Sequence, residues 1–147
     1  PVVMLDRQNG HYWETWRRFV TNDLLHKGLI SESDFNLFHV TYDVDEAVKQ
    51  ITDFYRNFHS YRWVREKMVI RIQQPINKES LESLNDRSAA MLSVDRIEQV
   101  AALPEESDDT HLQALPRLVL TPHKREFGKF RLLLNAINEL PVASGCA

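Results

Sequence analysis

The chain has 147 residues, 43% of them hydrophobic and 27% charged, with a net charge of −3 and a sequence pI near 6.1. That is enough for one ordinary domain or two small ones, and it offers no global basic field to attract nucleic acid. No apolar run approaches the ~20 residues of a bilayer span. The opening Val2-Val3-Met4-Leu5 meets Asp6 too soon to serve as the core of a signal peptide. A single cysteine, Cys146, excludes an intrachain disulfide and a cysteine metal cluster. The expectation is a cytoplasmic protein with no membrane or nucleic-acid partner and no cofactor. The chain starts at Pro1, consistent either with methionine removal or with cutting from a longer precursor.

Val2–Leu5 is a short continuous apolar run, the pattern of a strand buried on both faces in a parallel sheet. After a turn at Asn9-Gly10, Tyr12, Trp16, Phe19, Val20 and Leu24 recur at helical spacing between His11 and Lys27, and Gly28 supplies the stop. Ser31–Asp34 is a polar connector or a short helical turn. Leu37–Val40 is the second strand, and a helix from Asp43 to Phe58 carries Val44, Val48, Ile51, Tyr55 and Phe58 along one face. Strand–helix–strand–helix with short loops predicts parallel α/β pairing with right-handed crossovers. Two strands leave open edges and uncovered apolar faces, so further strands or a partner chain are expected, and with them a homo-oligomer.

His59–Lys67 reads as a polar and aromatic connector. Beyond it, the pattern predicts strand Met68–Ile72 with Arg71 pointing outward, and a helix from Asn77 to about Leu92 with Leu81, Leu84 and Met91 buried. A strand over Ile97–Leu103, an acidic loop over Glu105–Thr110, strand Leu118–Thr121 and a helix from about Arg125 to Glu139 follow. The order β-α-β-β-α is that of a small α+β unit related to the ferredoxin-like arrangement. Residues 141–147 form a small-residue tail expected to be flexible.

The densest polar cluster is Arg56, Asn57, His59, Ser60, Arg62 and Arg65. Arg56, His59, Arg62 and Arg65 are the candidate ligand-binding residues, because guanidinium groups bind the oxygens of a phosphate or other anionic effector. The same residues also fit a hinge whose arginines pair with nearby acids while Tyr61 and Trp63 pack. Asp43, Asp45 and Glu46 stand where a helix start needs caps and negative charge, a better account than a metal site. The histidines, at 11, 26, 39, 59, 111 and 123, lack zinc-ligand spacing, and adjacent His59 and Ser60 do not make a triad. Lys124-Arg125 is too small a basic patch for nucleic acid.

The segments PVVMLD, GHYWETWRRFV and GLISESDFNLFHVTYDVDEAV resemble the C-terminal part of the Rossmann-like domain of LOG (Lonely Guy) proteins, long labelled lysine decarboxylases. FYRNFHSYRWV, MVIRI, Leu103–Glu106 and LPRLVL resemble the longer bacterial members that add a second domain. The likeness runs from Pro1 to about Asn138. It implies a partial Rossmann-like β-α-β-α unit over 1–58, a connector over 59–67 and an α+β accessory domain over 68–140. It also implies a parent that hydrolyses the N-glycosidic bond of nucleoside 5′-monophosphates, with a nucleotide or other phosphorylated small molecule as ligand. That family's signature is a PGGxGTxxE loop that holds phosphate and supplies a catalytic glutamate. Gly10, Gly28, Gly128 and Gly145 are the only glycines and form no such loop. No catalytic residue carries over, and the expected role is oligomerisation or regulation without independent activity. The alternative is a self-standing small-ligand-binding or dimerisation module.

Overall fold

The computed structural model describes residues 1–123 and 127–141, without the side chains of Val94 and Asp95. The protein is mixed α/β. Strand β1 (Val2–Leu5) pairs in parallel with β2 (Phe38–Thr41), Val2 opposite Phe38 and Leu5 opposite Thr41. Helix α1 (Tyr12–Phe19) lies between them and α2 (Val44–Phe54) follows.

Local chemistry explains these boundaries. The Asp6 carboxylate accepts from the amides of Arg7, Tyr12 and Trp13 and so neutralises the positive end of α1 from the tip of β1. Gly10 is required there, because a Cβ would run into the Asp6 carboxylate. The helix predicted over His11–Lys27 is α-helical only to Phe19. It then widens into a π turn over Val20–Leu25, with Leu29 donating to the Leu24 carbonyl and Gly28 in the left-handed region at φ 70°. Of the two alternatives for the segment after Leu29-Ile30, the structure has the helical turn, a 3-10 turn over Glu32–Leu37, and Asp34 closes it by accepting from the Ser31 amide at 2.8 Å. Asp43 caps α2 by accepting from Asp45 and Glu46 at 2.7 and 3.1 Å.

The α2 stripe forms as expected except for Phe58, which lies beyond the helix end and is buried. Val44, Val48, Ile51 and Tyr55 share a face, but that face is exposed. Ala47 and Phe54 are the buried residues, and α2 ends four residues earlier than predicted, at Phe54. On α1, Tyr12 and Phe19 are likewise exposed.

Residues 59–67 are not a connector. They form most of strand β3 (Phe58–Val64) and a two-residue turn at Arg65-Glu66, with Arg65 at φ 55°, leading into β4 (Lys67–Ile72). With β5 (Leu92–Val100) and β6 (Arg117–Pro122) these make an antiparallel sheet in the order β3-β4-β6-β5. The predicted β-α-β-β-α succession is present as β4-α3-β5-β6-α4, with one strand added in front. Here α3 is Lys78–Ser88 and α4 is Phe127–Glu139. Strand β5 starts five residues before the predicted Ile97, and its register against β6 is irregular between Leu92 and Glu98.

One sheet face packs Phe58, Met68, Ile70, Ile72, Leu118 and Leu120 against Leu84 of α3 and Leu133, Leu134 and Ile137 of α4. Burial on this scale, ~1.5–3 kcal/mol per large aliphatic side chain, is the main stabilising term. Two amide side chains complete the outer edge of β5. Asn85 exchanges hydrogen bonds with the Ile97 backbone at 2.7 and 3.0 Å, and Gln99 does the same with Ile76 at 2.8 and 3.0 Å.

The two sheets are tied through α4. Gly128 passes so close to the Ser33 carbonyl that any Cβ would collide with it. Asn138, 5% exposed, accepts from the amides of Asn57 and Phe58 at 2.8 Å each and donates to the Phe54 carbonyl at 2.6 Å. One side chain thereby joins the end of α4 to the end of α2 and the start of β3. The basic pair Lys124-Arg125 and the tail residues 142–147 lie outside the described residues.

Candidate functional site

The four predicted ligand-binding residues do not converge on one point. Arg56, just past α2, donates to Asp53 at 2.8 Å and to the Asn138 carbonyl at 3.4 Å. It borders a cleft of about 270 Å³ between α2 and α4, shared with Phe54, Arg131, Asn135, Asn138 and Glu139. In that cleft the Arg131 guanidinium sits 4.3 Å over the Phe54 ring, and burial pushes its pKa below the ordinary arginine value. His59, at the start of β3, shares a hydrogen bond of 2.9 Å with Ser60 Oγ. Arg62, on the same strand, donates to Asp108 and Asp109 at 3.0 and 2.9 Å. Arg65 occupies the hairpin tip, exposed, with Glu105 at 3.8 Å. Three of the four candidates are therefore arginines with acidic neighbours. Tyr61 packs edge-on against Phe130 at 5.3 Å.

Arg62 belongs to a larger cluster on the sheet face turned away from α3 and α4. Arg71 of β4 and Arg117 of β6 are directly opposite each other in the register, 5% and 0% exposed. Two like charges in that position repel. The long β5–β6 connection resolves the conflict by folding back over the sheet and placing Glu106, 0% exposed, between them. Glu106 Oε1 accepts from Arg71 Nε at 2.9 Å and Oε2 from Arg117 Nε at 3.0 Å. A further bond at 3.3 Å comes from the Leu103 amide. Arg117 also donates to the carbonyls of Leu112 and Leu115, and its Nη2 is buried with no partner among the described residues. Three residues on, Asp109 bridges Arg71 and Arg62, and Asp108 completes the run. Cation and carboxylate alternate as Arg117, Glu106, Arg71, Asp109, Arg62, Asp108.

Burial on its own raises the pKa of Glu106, but the hydrogen bonds from Arg117, Arg71 and the Leu103 amide outweigh it and hold the carboxyl below the usual range. Asp109 is likewise lowered: desolvation opposes ionisation, and Arg62 and Arg71 prevail. Arg62 is raised by its bonds to Asp108 and Asp109. Groups locked in their charged forms are poor general acids or bases near neutrality. The cluster is suited to holding charge and not to transferring protons.

Sequence reasoning missed this cluster, reading Arg71 as outward-facing and 105–110 as a solvated acidic loop. The readable signal was a lone arginine in each of two apolar strands, with an acid-rich stretch between those strands in sequence.

At the C-terminal end of the parallel pair, Thr41 is buried and hydrogen-bonds Glu46, which also takes a bond of 2.9 Å from His39. These bonds, Thr41 first, lower the Glu46 pKa. Asp43 is committed to capping, and among the described residues no His, Cys, Asp and Glu group has the arrangement to hold a metal ion. No described helix is long and apolar enough to cross a membrane. Comparison with protein-family models, with curated proteins and with solved structures gives no match to this chain.

Proposed function

We propose that this chain is the C-terminal, assembly-forming or regulatory part of a LOG-type nucleotide-handling protein and has no catalytic activity by itself. The observation that carries the reading is the uncovered parallel unit. Among the described residues β1 and β2 pair only with each other, and α2 presents Val44, Val48, Ile51 and Tyr55 at 61, 53, 44 and 48% exposure. Their 4-3-4 spacing is that of a helix seam made to pack on another element. Such a surface is explained if β1–β2 is one margin of a larger Rossmann-like sheet, joined edge to edge with further parallel strands. An exposed apolar stripe of this length otherwise favours self-association.

The antiparallel sheet supports an accessory role. Its order β3-β4-β6-β5 is that of a ferredoxin-like sheet whose final strand has moved to the front of the chain. The Asn138 bonds to Asn57 and Phe58 mark where α4 would otherwise run on into that strand. A compact unit of this kind, packed through α4 against the parallel unit, is suited to transmitting an effector or subunit contact.

The test combines two measurements on the chain as it stands. Incubation with nucleoside 5′-monophosphates is expected to release no ribose 5-phosphate; release would overturn the non-catalytic reading. Sedimentation velocity is expected to show concentration-dependent association that Val48→Asp with Ile51→Asp weakens at least ten-fold. A strict monomer, or association unchanged by that pair, would remove the assembly role.

A further inference from the structure

Arg62, Arg71 and Arg117 stand on three adjacent strands with their side chains on one sheet face, linked by shared carboxylates. The two ends of this row differ in a way that a purely structural ion network does not require. At the inner end, Glu106 and Arg117 are both fully buried and fixed by several further bonds. At the outer end, the side chains of Arg62, Asp109 and Asp108 are 31, 28 and 70% exposed. The backbone bonds of the turn bearing these aspartates are local, Asp109 to the Glu106 carbonyl and Leu112 to the Asp109 carbonyl, so that turn is held to the sheet mainly by the charges.

We propose that the Arg62–Arg71 end is a phosphate-binding site that the chain covers with its own Asp108 and Asp109. The Asp109 carboxylate sits between two guanidinium groups, the arrangement that also takes the oxygens of a phosphate. Ser60 Oγ lies 3.5 Å from Arg71 Nη1 and adds a hydroxyl to the same place, with His59 behind it. Arg65, at the hairpin tip beside Glu105, stands at the rim. A phosphate group on a small ligand displaces the two aspartates from Arg62 while the inner Arg71–Glu106–Arg117 clamp stays in place. The covered state raises the apparent Kd to the intrinsic value divided by the fraction of molecules in which the site is open. The inference goes beyond the proposed parentage and holds whether or not the chain belongs to a larger sheet.

The experiment is a titration of the 147-residue chain with inorganic phosphate and with pyrophosphate at constant ionic strength. It is read by calorimetry and by the arginine Nε–Hε NMR signals of Arg62 and Arg71. Asp108→Asn with Asp109→Asn is expected to tighten binding about ten-fold by removing the internal competitor. Arg62→Gln is expected to weaken it at least ten-fold. Should the double variant fail to fold, Asp108→Asn alone, at a largely exposed position, carries the comparison. Absence of saturable binding in the aspartate variants would overturn the proposal, as would binding that Arg62→Gln leaves unchanged. A Val48→Asp, Ile51→Asp background that still binds separates this site from the assembly surface.

Discussion

Removing the charge of Glu106 is the most informative single perturbation of this fold. Its carboxylate is fully buried and receives Arg71 Nε, Arg117 Nε and the Leu103 amide, so Glu106→Gln leaves fully buried Arg117 with a neutral amide and the Leu112 and Leu115 carbonyls, and Arg71 with Asp109 as its remaining carboxylate. Breaking a buried ion pair from one side costs about 3–5 kcal/mol, because the remaining charge stays desolvated. Global stability of a domain is only ~5–15 kcal/mol, so this loss is a large share of it. With a urea m-value of roughly 2 kcal/mol/M, the unfolding midpoint should fall by about 2 M at unchanged slope. The companion variant Arg71→Met, Glu106→Leu, Arg117→Met removes all three charges together and should stay within ~1 kcal/mol of the parent or exceed it. Urea denaturation followed by circular dichroism reads both. A midpoint change under about 0.5 M for Glu106→Gln would refute the argument, since it would mean that water reaches the two arginines.

Asn138→Ala removes three buried hydrogen bonds and strands the amides of Asn57 and Phe58, so it should cost about 3 kcal/mol. Hydrogen exchange should show the loss first at the start of β3 and the end of α2. Glu106 and Asp109 are held below their ordinary pKa values in the folded state, so their contribution is present above the unfolded carboxylate values of about 4 and is lost as pH falls through the lower folded values. Stability measured from pH 6 down to pH 2 should therefore drop, and the drop should be shallower in the Arg71→Met, Glu106→Leu, Arg117→Met variant.

Element types at strongly periodic or capped positions were legible from the residues. Asp43 with Asp45 and Glu46 announced the start of α2 and performs that capping. The apolar strands around Met68 and Leu118 were placed within a residue or two. Strand β3 was hidden because its alternation is of polar with aromatic residues. Ser60 and Arg62 face the charge cluster and Tyr61 faces α4, so neither half of the period is aliphatic. The pairings within the cluster were not legible beyond the two lone strand arginines and the acid-rich stretch between them, because its members are 62, 71, 106, 108, 109 and 117. Only the strand order brings them together, and strand order depends on pairings far apart in sequence. The π turn after Phe19 falls on Val20-Thr21-Asn22-Asp23, four consecutive residues of low helix propensity, a signal masked by the helical spacing of Trp16, Val20 and Leu24.

The two halves invert the usual distribution of polarity in opposite senses, and the inversions have different meanings. In the antiparallel half, Arg71, Glu106 and Arg117 are inside, where charge is tolerated only because each guanidinium finds a carboxylate from the same chain. Among the described residues that requirement is met from within this half apart from Arg117 Nη2. In the parallel half, Val44, Val48, Ile51 and Tyr55 are outside, and nothing within the described residues covers them. A residue's period in a helix or strand states which neighbours share its face, but whether that face meets water depends on what else is present. For this reason the helical period groups Val44, Val48, Ile51 and Tyr55 on one face without deciding what that face meets. The same physics that closes the charge cluster from within leaves the α2 face to be closed from without.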